Sequence, residues 1–271
     1  MTRTNDQAAA VLPALLTELR LPSIKRNWKQ FTDIADRDGW PAAHLLASLL
    51  EIEMAERTSR RIQRHRDQSG LPAGKTIATF DFDAAPGIRK PHLLSLAAGE
   101  GWIESGGNLL IFGQSGTGKT HTIAAISHAL IDRGRRVLFC STTDMVQKLQ
   151  AARRDLTLSS MLDKLDKYAL IVLDEFSYVR KDQLETSVLF ELIAHRYERH
   201  SIAITANQPF SGWSDVFPDP AMCVAAIDRL VHHATIIEMN GESYRKRSAV
   251  ARISAPESAS DNYPSQAPPA G

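Results

Sequence analysis

An α/β fold, with a parallel sheet flanked by helices and a small all-α N-terminal domain, is what this sequence predicts. Three observations lead there. From residue 108 onward, short apolar runs alternate with longer helical patterns, as they do when parallel strands are joined by crossover helices. The first run leads directly into Gly113-Gln114-Ser115-Gly116-Thr117-Gly118-Lys119-Thr120, which fills G-x-x-x-x-G-K-[ST] at every fixed position. Residues 1–68, in contrast, read as a succession of helices with no strand pattern.

The bulk properties set the frame. A length of 271 residues suits one large domain plus a smaller piece, and 43% hydrophobic with 23% charged residues is ordinary for a globular chain with a sizeable core. The net charge of +1 does not by itself announce a nucleic-acid partner, so any such argument rests on local clusters. Cys140 and Cys223 lie far apart without metal-ligand spacing and read as free thiols in a reducing compartment. No apolar signal segment opens the N-terminus. Residues 42–50 include His44 and Ser48 and are too short and polar to span a bilayer. The expectation is a cytoplasmic protein without membrane association.

Taken in order, Ala8 to Leu12 with Leu15, Leu16 and Leu19 form one amphipathic pattern with Pro13 near its start, broken at Leu21-Pro22. Residues 24–38 place Trp28, Phe31 and Ile34 at helical spacing. Gly39-Trp40-Pro41 is a turn, and Pro41 suits the first position of the next helix, which carries Leu45, Leu46, Leu49, Leu50, Ile52 and Met54. That helix changes character at Glu56. Arg57, Arg60, Arg61 and Arg64 follow on one face, with His65 and Arg66 and no acid among them. Such a face suits DNA phosphates. It equally suits a solvated surface paired with Glu51, Glu53 and Glu56 one turn back.

Residues 69–91 read as a linker, rich in Gly and Pro, with Phe80-Asp81-Phe82-Asp83 in its middle. The two aromatic rings either staple the linker to the core or border a nucleotide base. Gly74-Lys75-Thr76 repeats the G-K-T of the later motif, but Ser69 stands where the leading glycine belongs and no strand precedes it. Residues 92–98 form a short helix. Strands are expected at 108–112, 136–141, 168–174, 201–205 and 235–239, and helices at 121–131, 142–154 (with Thr142 or Thr143 as cap), 158–167 and 183–198. The tail after Ile253 is Pro, Ser, Ala and Asn and is expected to be disordered.

The chemistry gathers where these strands end. Strand, glycine loop and helix together make a phosphate-binding loop. Backbone N–H groups of residues 113–120 and His121 converge on phosphate oxygens at a helix N-terminus. Lys119 reaches the β- and γ-phosphates, and the Thr120 hydroxyl ligates Mg²⁺. Four apolar residues ending in Asp174-Glu175 supply a second motif, in which Asp174 holds Mg²⁺ and Glu175 polarises the attacking water. Asn207, just past the fourth strand, either senses the γ-phosphate on the same sheet edge or is simply a turn residue before Pro209. Arg229 either stabilises transferring phosphate from a neighbouring subunit or pairs locally with Asp228 or Glu238. Arg245 is a weaker candidate of the same kind. His195, His200, His232 and His233 lack recognised metal-ligand spacing in sequence.

These residues together resemble a known family. Residues 113–120, Leu170-Ile171-Val172-Leu173-Asp174-Glu175, Arg196-Tyr197-Glu198-Arg199, Thr205-Ala206-Asn207-Gln208-Pro209-Phe210, Trp213, Val216-Phe217, Asp228-Arg229-Leu230-Val231-His232-His233 and Gly241-Glu242-Ser243-Tyr244-Arg245 look like the IstB-like ATPases. These are helper proteins of insertion-sequence transposition, within the AAA+ class of P-loop NTPases and related to bacterial helicase loaders. Leu49-Leu50-Glu51, Glu56-Arg57 and Phe80-Asp81-Phe82 extend the likeness upstream, so that it covers roughly residues 10–250. Ala206 departs from the serine more usual there.

The resemblance implies a P-loop ATPase using ATP and Mg²⁺ that forms a homo-oligomer with ATP between subunits. It also implies assembly on double-stranded DNA and assistance to a separate transposase that carries out strand transfer. It favours DNA contact for Arg57, Arg60, Arg61 and Arg64, and a role in trans for Arg229. The expected organisation is a helical DNA- or partner-binding domain at 1–68, a linker at 69–91, the ATPase at 92–253 and a tail at 254–271. A replicative helicase loader, or a nucleotide-gated DNA scaffold with incidental hydrolysis, are the alternative readings.

Overall fold

Residues 5–176, 182–241 and 243 are described by the structure, a computed structural model. Five strands, β1 (Asn108–Gly113), β2 (Val137–Ser141), β3 (Leu170–Asp174), β4 (Ser201–Ala206) and β5 (Ala234–Met239), form one sheet in the order β2-β3-β4-β1-β5. Every pairing is parallel. Side chains alternate across each strand, which explains the continuous apolar runs: both faces are covered. Leu110, Phe112, Ile171, Leu173, Ile202 and Ile204 enter one core cluster, whereas Leu109, Ile111, Leu170, Val172 and Ala203 enter the other.

Helices α6 (Thr142–Arg154), α7 (Leu158–Leu165), α8 (Gln183–Arg196) and α9 (Pro220–Val231) cover the first face. Helices α4 (Lys90–Ala98) and α5 (Lys119–Asp132) cover the second. The cap of α6 is Ser141, one residue earlier than the threonines suggest, with Asp144 N donating to Ser141 Oγ at 3.0 Å. Thr142 is then free for another task, described below. The α8 start carries a full capping box between Asp182 and Glu185. A 3-10 turn at Phe210–Asp215, not apparent in the periodicity, buries Trp213 completely.

Preceding the sheet, α1 (Asn5–Glu18), α2 (Pro22–Asp38) and α3 (Ala42–Asp67) pack in succession, and α3 also packs on α5. Helix α1 begins well before Pro13, which therefore lies in its interior and forfeits one main-chain bond. Pro41 caps α3 rather than opening it. Across helices, Glu53 of α3 caps α2: its buried carboxylate accepts from Ser23 N at 2.8 Å and Ile24 N at 3.3 Å. Burial alone would raise the Glu53 pKa. The hydrogen bonds from Arg57, Ser23 and Ile24 outweigh burial and hold the carboxyl below its ordinary value.

Residues 69–91 are a packed strap rather than a loose connection. Phe139 N donates to Ser69 O at 2.7 Å, which ties the strap to the edge strand. Phe80, Ala85 and Ile88 are buried in the α4–α5 core. Tyr244, Arg245 and the tail at 254–271 lie outside the described residues.

Candidate nucleotide-binding and hydrolysis site

Strand order determines what meets at the C-terminal edge of the sheet. Because β4 lies between β1 and β3, the residues at its end stand between the phosphate loop and the acidic pair. The loop leaves β1 in conformations that favour glycine, with φ +86° at Gly116 and +97° at Gly118. A side chain at Gly116 would also collide with Ser243, whose Oγ lies 2.1 Å from the position of such a Cβ. Ser243 of the Gly241–Arg245 motif thus rests directly on the loop.

Lys119 is almost fully buried and spans the loop, donating to Gly113 O at 2.7 Å, Gln114 O at 2.9 Å and Asn207 Oδ1 at 2.7 Å. Thr120 Oγ1 donates to the Asp174 carboxylate at 3.1 and 3.2 Å. The sequence-read residues Lys119, Thr120, Asp174 and Asn207 therefore come together. Glu175 follows Asp174 with a left-handed φ of 59°, which turns its exposed side chain into the same cleft.

Two residues missed by the sequence reading complete the support. Thr205 Oγ1 donates to Asp174 Oδ1 and accepts from Glu175 N at 3.1 Å, so one buried hydroxyl orients both acidic residues. Thr142 Oγ1 donates to Asp174 O at 2.9 Å. Below them, aromatic rings anchor the segments flanking the site. Phe112 precedes Gly113, Phe176 follows Glu175 and Phe210 follows Asn207 by three positions; all three pack on Trp213, with ring centroids 6.2, 4.4 and 5.0 Å away. Only strand order and tertiary packing reveal these roles.

The cleft has a volume of 540 Å³ and is lined by residues 115–121, Glu175, Thr205 and Asn207 on one side and by Lys75, Thr79, Phe80 and Asp81 on the other. The strap is its second wall. Phe80 both staples the strap to the core and borders the cleft, with its ring 5.1 Å from that of His121. His121 Nε2 lies 3.2 Å from Thr76 O and 3.3 Å from Thr79 Oγ1. Burial, aided by Lys75 and opposed by the hydrogen bond to Thr76, holds the His121 pKa below its ordinary value.

The donor set fits Mg²⁺: a hydroxyl and a carboxylate, both hard oxygen ligands, lie within hydrogen-bonding distance of each other at a helix N-terminus. Thr120 would hold the ion directly and Asp174 directly or through water. When bound, the ion neutralises charge on the phosphate oxygens.

Other candidates lie elsewhere. Arg229 does not line the cleft; its Nη1 donates to Ala225 O at 2.9 Å and its guanidinium lies 5.1 Å from the Phe190 ring. Neither Asp228 nor Glu238 pairs with it among the described residues. The arginine face of α3 divides. Arg57 pairs with Glu53 at 2.8 Å, and Arg60 reaches Glu56 at 3.6 Å and Ser23 Oγ at 3.0 Å. Arg61 and Arg64 have no carboxylate partner among the described residues. The histidines set aside on sequence spacing do meet carboxylates in space: Glu198, His232 and His233 form one exposed group, and Asp163, Asp166 and His195 another. In the second, Asp166 is also within 3.2 Å of Arg199, consistent with an ionic brace.

Comparison with known proteins agrees with this geometry. The family model described as IstB-like ATP binding protein matches residues 14–251. An insertion sequence ATP-binding protein of Sinorhizobium fredii (strain NBRC 101917 / NGR234) is 59% identical over 91% of this chain and 82% of its own length. The IS5376 ATP-binding protein of Geobacillus stearothermophilus is 35% identical over 84% of this chain and 91% of its own. Among solved structures, the DnaC helicase loader aligns with a TM-score of 0.51 and 16% identity over 62% of this chain and 98% of that one. AMPPCP-bound DnaA from Aquifex aeolicus aligns with a TM-score of 0.53 and 18% identity over 68% and 55%, respectively. These two likenesses show the fold alone. With the family match spanning most of its length, the chain belongs to the IstB-like ATP-binding proteins and is an AAA+ P-loop ATPase.

Proposed function

We propose that this ATPase assembles on double-stranded DNA in its ATP-bound state and assists a separate transposase in target selection and strand transfer during insertion-sequence transposition. The observation that carries the ATP-switched part of this reading is that the end of β4 holds both sides of the site: Asn207 accepts from Lys119, and Thr205 donates to Asp174, which also accepts from Thr120. A γ-phosphate entering the cleft competes with Gly113 O, Gln114 O and Asn207 for the Lys119 ammonium. Nucleotide state is thereby registered at the end of β4. Glu175 polarises the attacking water, and Asn207 orients it or the γ-phosphate.

Arg229 acts in trans. On α9 it lines a shallow surface with Pro220, Ala221, Val224 and Asp228, outside the cleft of its own chain. A neighbouring subunit's cleft is where its charge would act on the transferring phosphate. This organisation supports a homo-oligomer with ATP between subunits, in which α1–α3 serve as the DNA- or partner-binding domain. The similar proteins at 59% and 35% identity are insertion-sequence proteins, whereas likeness to a helicase loader is confined to the fold, which favours the transposition role over loading.

The test is ATP turnover with and without duplex DNA. Lys119→Ala and Glu175→Gln should each lower turnover by about 100-fold or more. Arg229→Ala should lose turnover only in the assembled form, and addition of Lys119→Ala subunits, which still supply Arg229, should restore part of it. Normal turnover by assembled Arg229→Ala would refute the intersubunit role.

A further inference from the structure

The arginines of α3 are separated by their partners. Toward the middle of the helix, Arg57 and Arg60 are engaged by Glu53 and Glu56. Toward its C-terminus, the helix lies on the turn between α5 and β2, where Arg133-Gly134-Arg135-Arg136 brings more positive charge. Arg61 Nη2 lies only 3.5 Å from where a Cβ on Gly134 would stand. Arg136 Nη2 donates to Gln68 Oε1 at 3.4 Å. The His65 imidazole lies amid this group: burial first, then Arg136, Arg61 and Arg64, press its pKa below the ordinary value.

The nearby acids are already engaged. Asp132 takes Arg66, Glu104 takes Arg135, and Asp67 accepts from Gln63 at 2.8 Å. Arg61, Arg64, Arg133 and Arg136 have no carboxylate within ion-pair distance among the described residues. Arg61, Arg64 and Arg136 surround His65, Arg136 also lies over the Tyr168 ring at 5.6 Å, and the exposed Arg133 opens the same turn. Positive charge placed together without a carboxylate costs free energy that an anion would relieve. Arg61, Arg64 and Arg133 are exposed, and the group is spread over two elements rather than enclosed in a pocket. That shape suits an extended polyanion better than a small ion.

We infer that Arg61 and Arg64 of α3, with Arg133 and Arg136 of the α5–β2 turn, form the surface that holds the phosphate backbone of duplex DNA. The inference rests on the DNA-binding part of the proposed function and moves the contact away from Arg57 and Arg60. It also places DNA at the far end of the helix that begins in the nucleotide cleft. Helix α5 carries Lys119 and Thr120 in its first turn and ends at Asp132, 14 residues later, a rod of about 21 Å. A shift of the phosphate loop is thus transmitted to the arginine turn through one rigid element.

The test is the salt dependence of duplex binding by the full chain with ATP, followed by fluorescence anisotropy. Each phosphate contact adds about 0.9 to the slope of log affinity against log salt. Arg64→Gln/Arg133→Gln should lower the slope by about 2 and weaken binding to unrelated duplexes alike. Arg64→Lys/Arg133→Lys should keep the wild-type slope, which separates charge from folding, and Arg57→Gln/Arg60→Gln should leave it unchanged. An unchanged slope in the Arg64/Arg133 glutamine variant, or a loss confined to the Arg57/Arg60 variant, overturns this inference while the broader reading stands. If wild type fails to bind duplex DNA, or binds only RNA, both fall.

Discussion

Thr205 has two tasks at once. Its hydroxyl donates to Asp174 and accepts from the Glu175 main chain, and the side chain is 1% exposed. Replacing it with valine preserves shape but leaves the Glu175 N–H without this acceptor and frees the Asp174 carboxylate to rotate. Thr205→Val should therefore lower ATP turnover by about 10-fold and raise the Mg²⁺ concentration needed for half-maximal rate, while Thr205→Ser restores both. Unchanged Mg²⁺ dependence in Thr205→Val would show that the hydroxyl only fills space. At this scale the sequence is explicit about Lys119, Thr120 and Asp174, because their chemistry needs fixed spacing within one loop or strand end. It is silent about Thr205 and Thr142, because their roles depend on which strand lies beside β3, and no local pattern encodes that.

Among the elements, the end of α8 shows how a buried charge can hold several segments. Arg196 is fully buried and donates to Leu165 O at 3.1 Å, Tyr168 O at 2.9 Å and Ser201 O at 3.0 Å, tying the end of α7, the approach to β3 and the start of β4. Burial pulls its pKa down to about 10, partly offset by Asp166, so it stays charged at neutral pH. Arg196→Ala leaves three interior carbonyls without this donor and should cost about 3 kcal/mol or more in chemical unfolding. A loss under 1 kcal/mol would mean that water replaces the guanidinium. Most helix and strand identities were legible, since the interior strands β1, β3 and β4 are apolar on both faces and helices such as α6 and α7 carry an apolar stripe. The linker at 69–91 was legible in part: its two aromatic rings called for packing on the core or beside a base, but that Phe80 does both, with Ala85 and Ile88 buried beside it, follows only from tertiary packing. The arginine face of α3 was legible as a face, but its division was not. Glu53 takes Arg57 because the start of α2 needs a cap from outside its own sequence.

For the whole molecule, the parallel sheet and the position of the nucleotide cleft follow from one motif and an alternating pattern, so the fold was legible before any coordinate. In the proposed function, the use made of ATP hydrolysis depends on surfaces that local motifs do not describe: Arg229 on α9 and the arginines where α3 meets α5. As proposed, ATP sits at the N-terminus of α5, DNA at its C-terminus, and a second subunit completes the cleft. The most direct measurement is duplex DNA affinity of Glu175→Gln, which should retain ATP, against wild type held in ADP, under identical salt. Tighter binding in the ATP state by about 5- to 150-fold is the predicted result. Equal affinity in the two nucleotide states would contradict the claim that ATP controls this protein's hold on DNA.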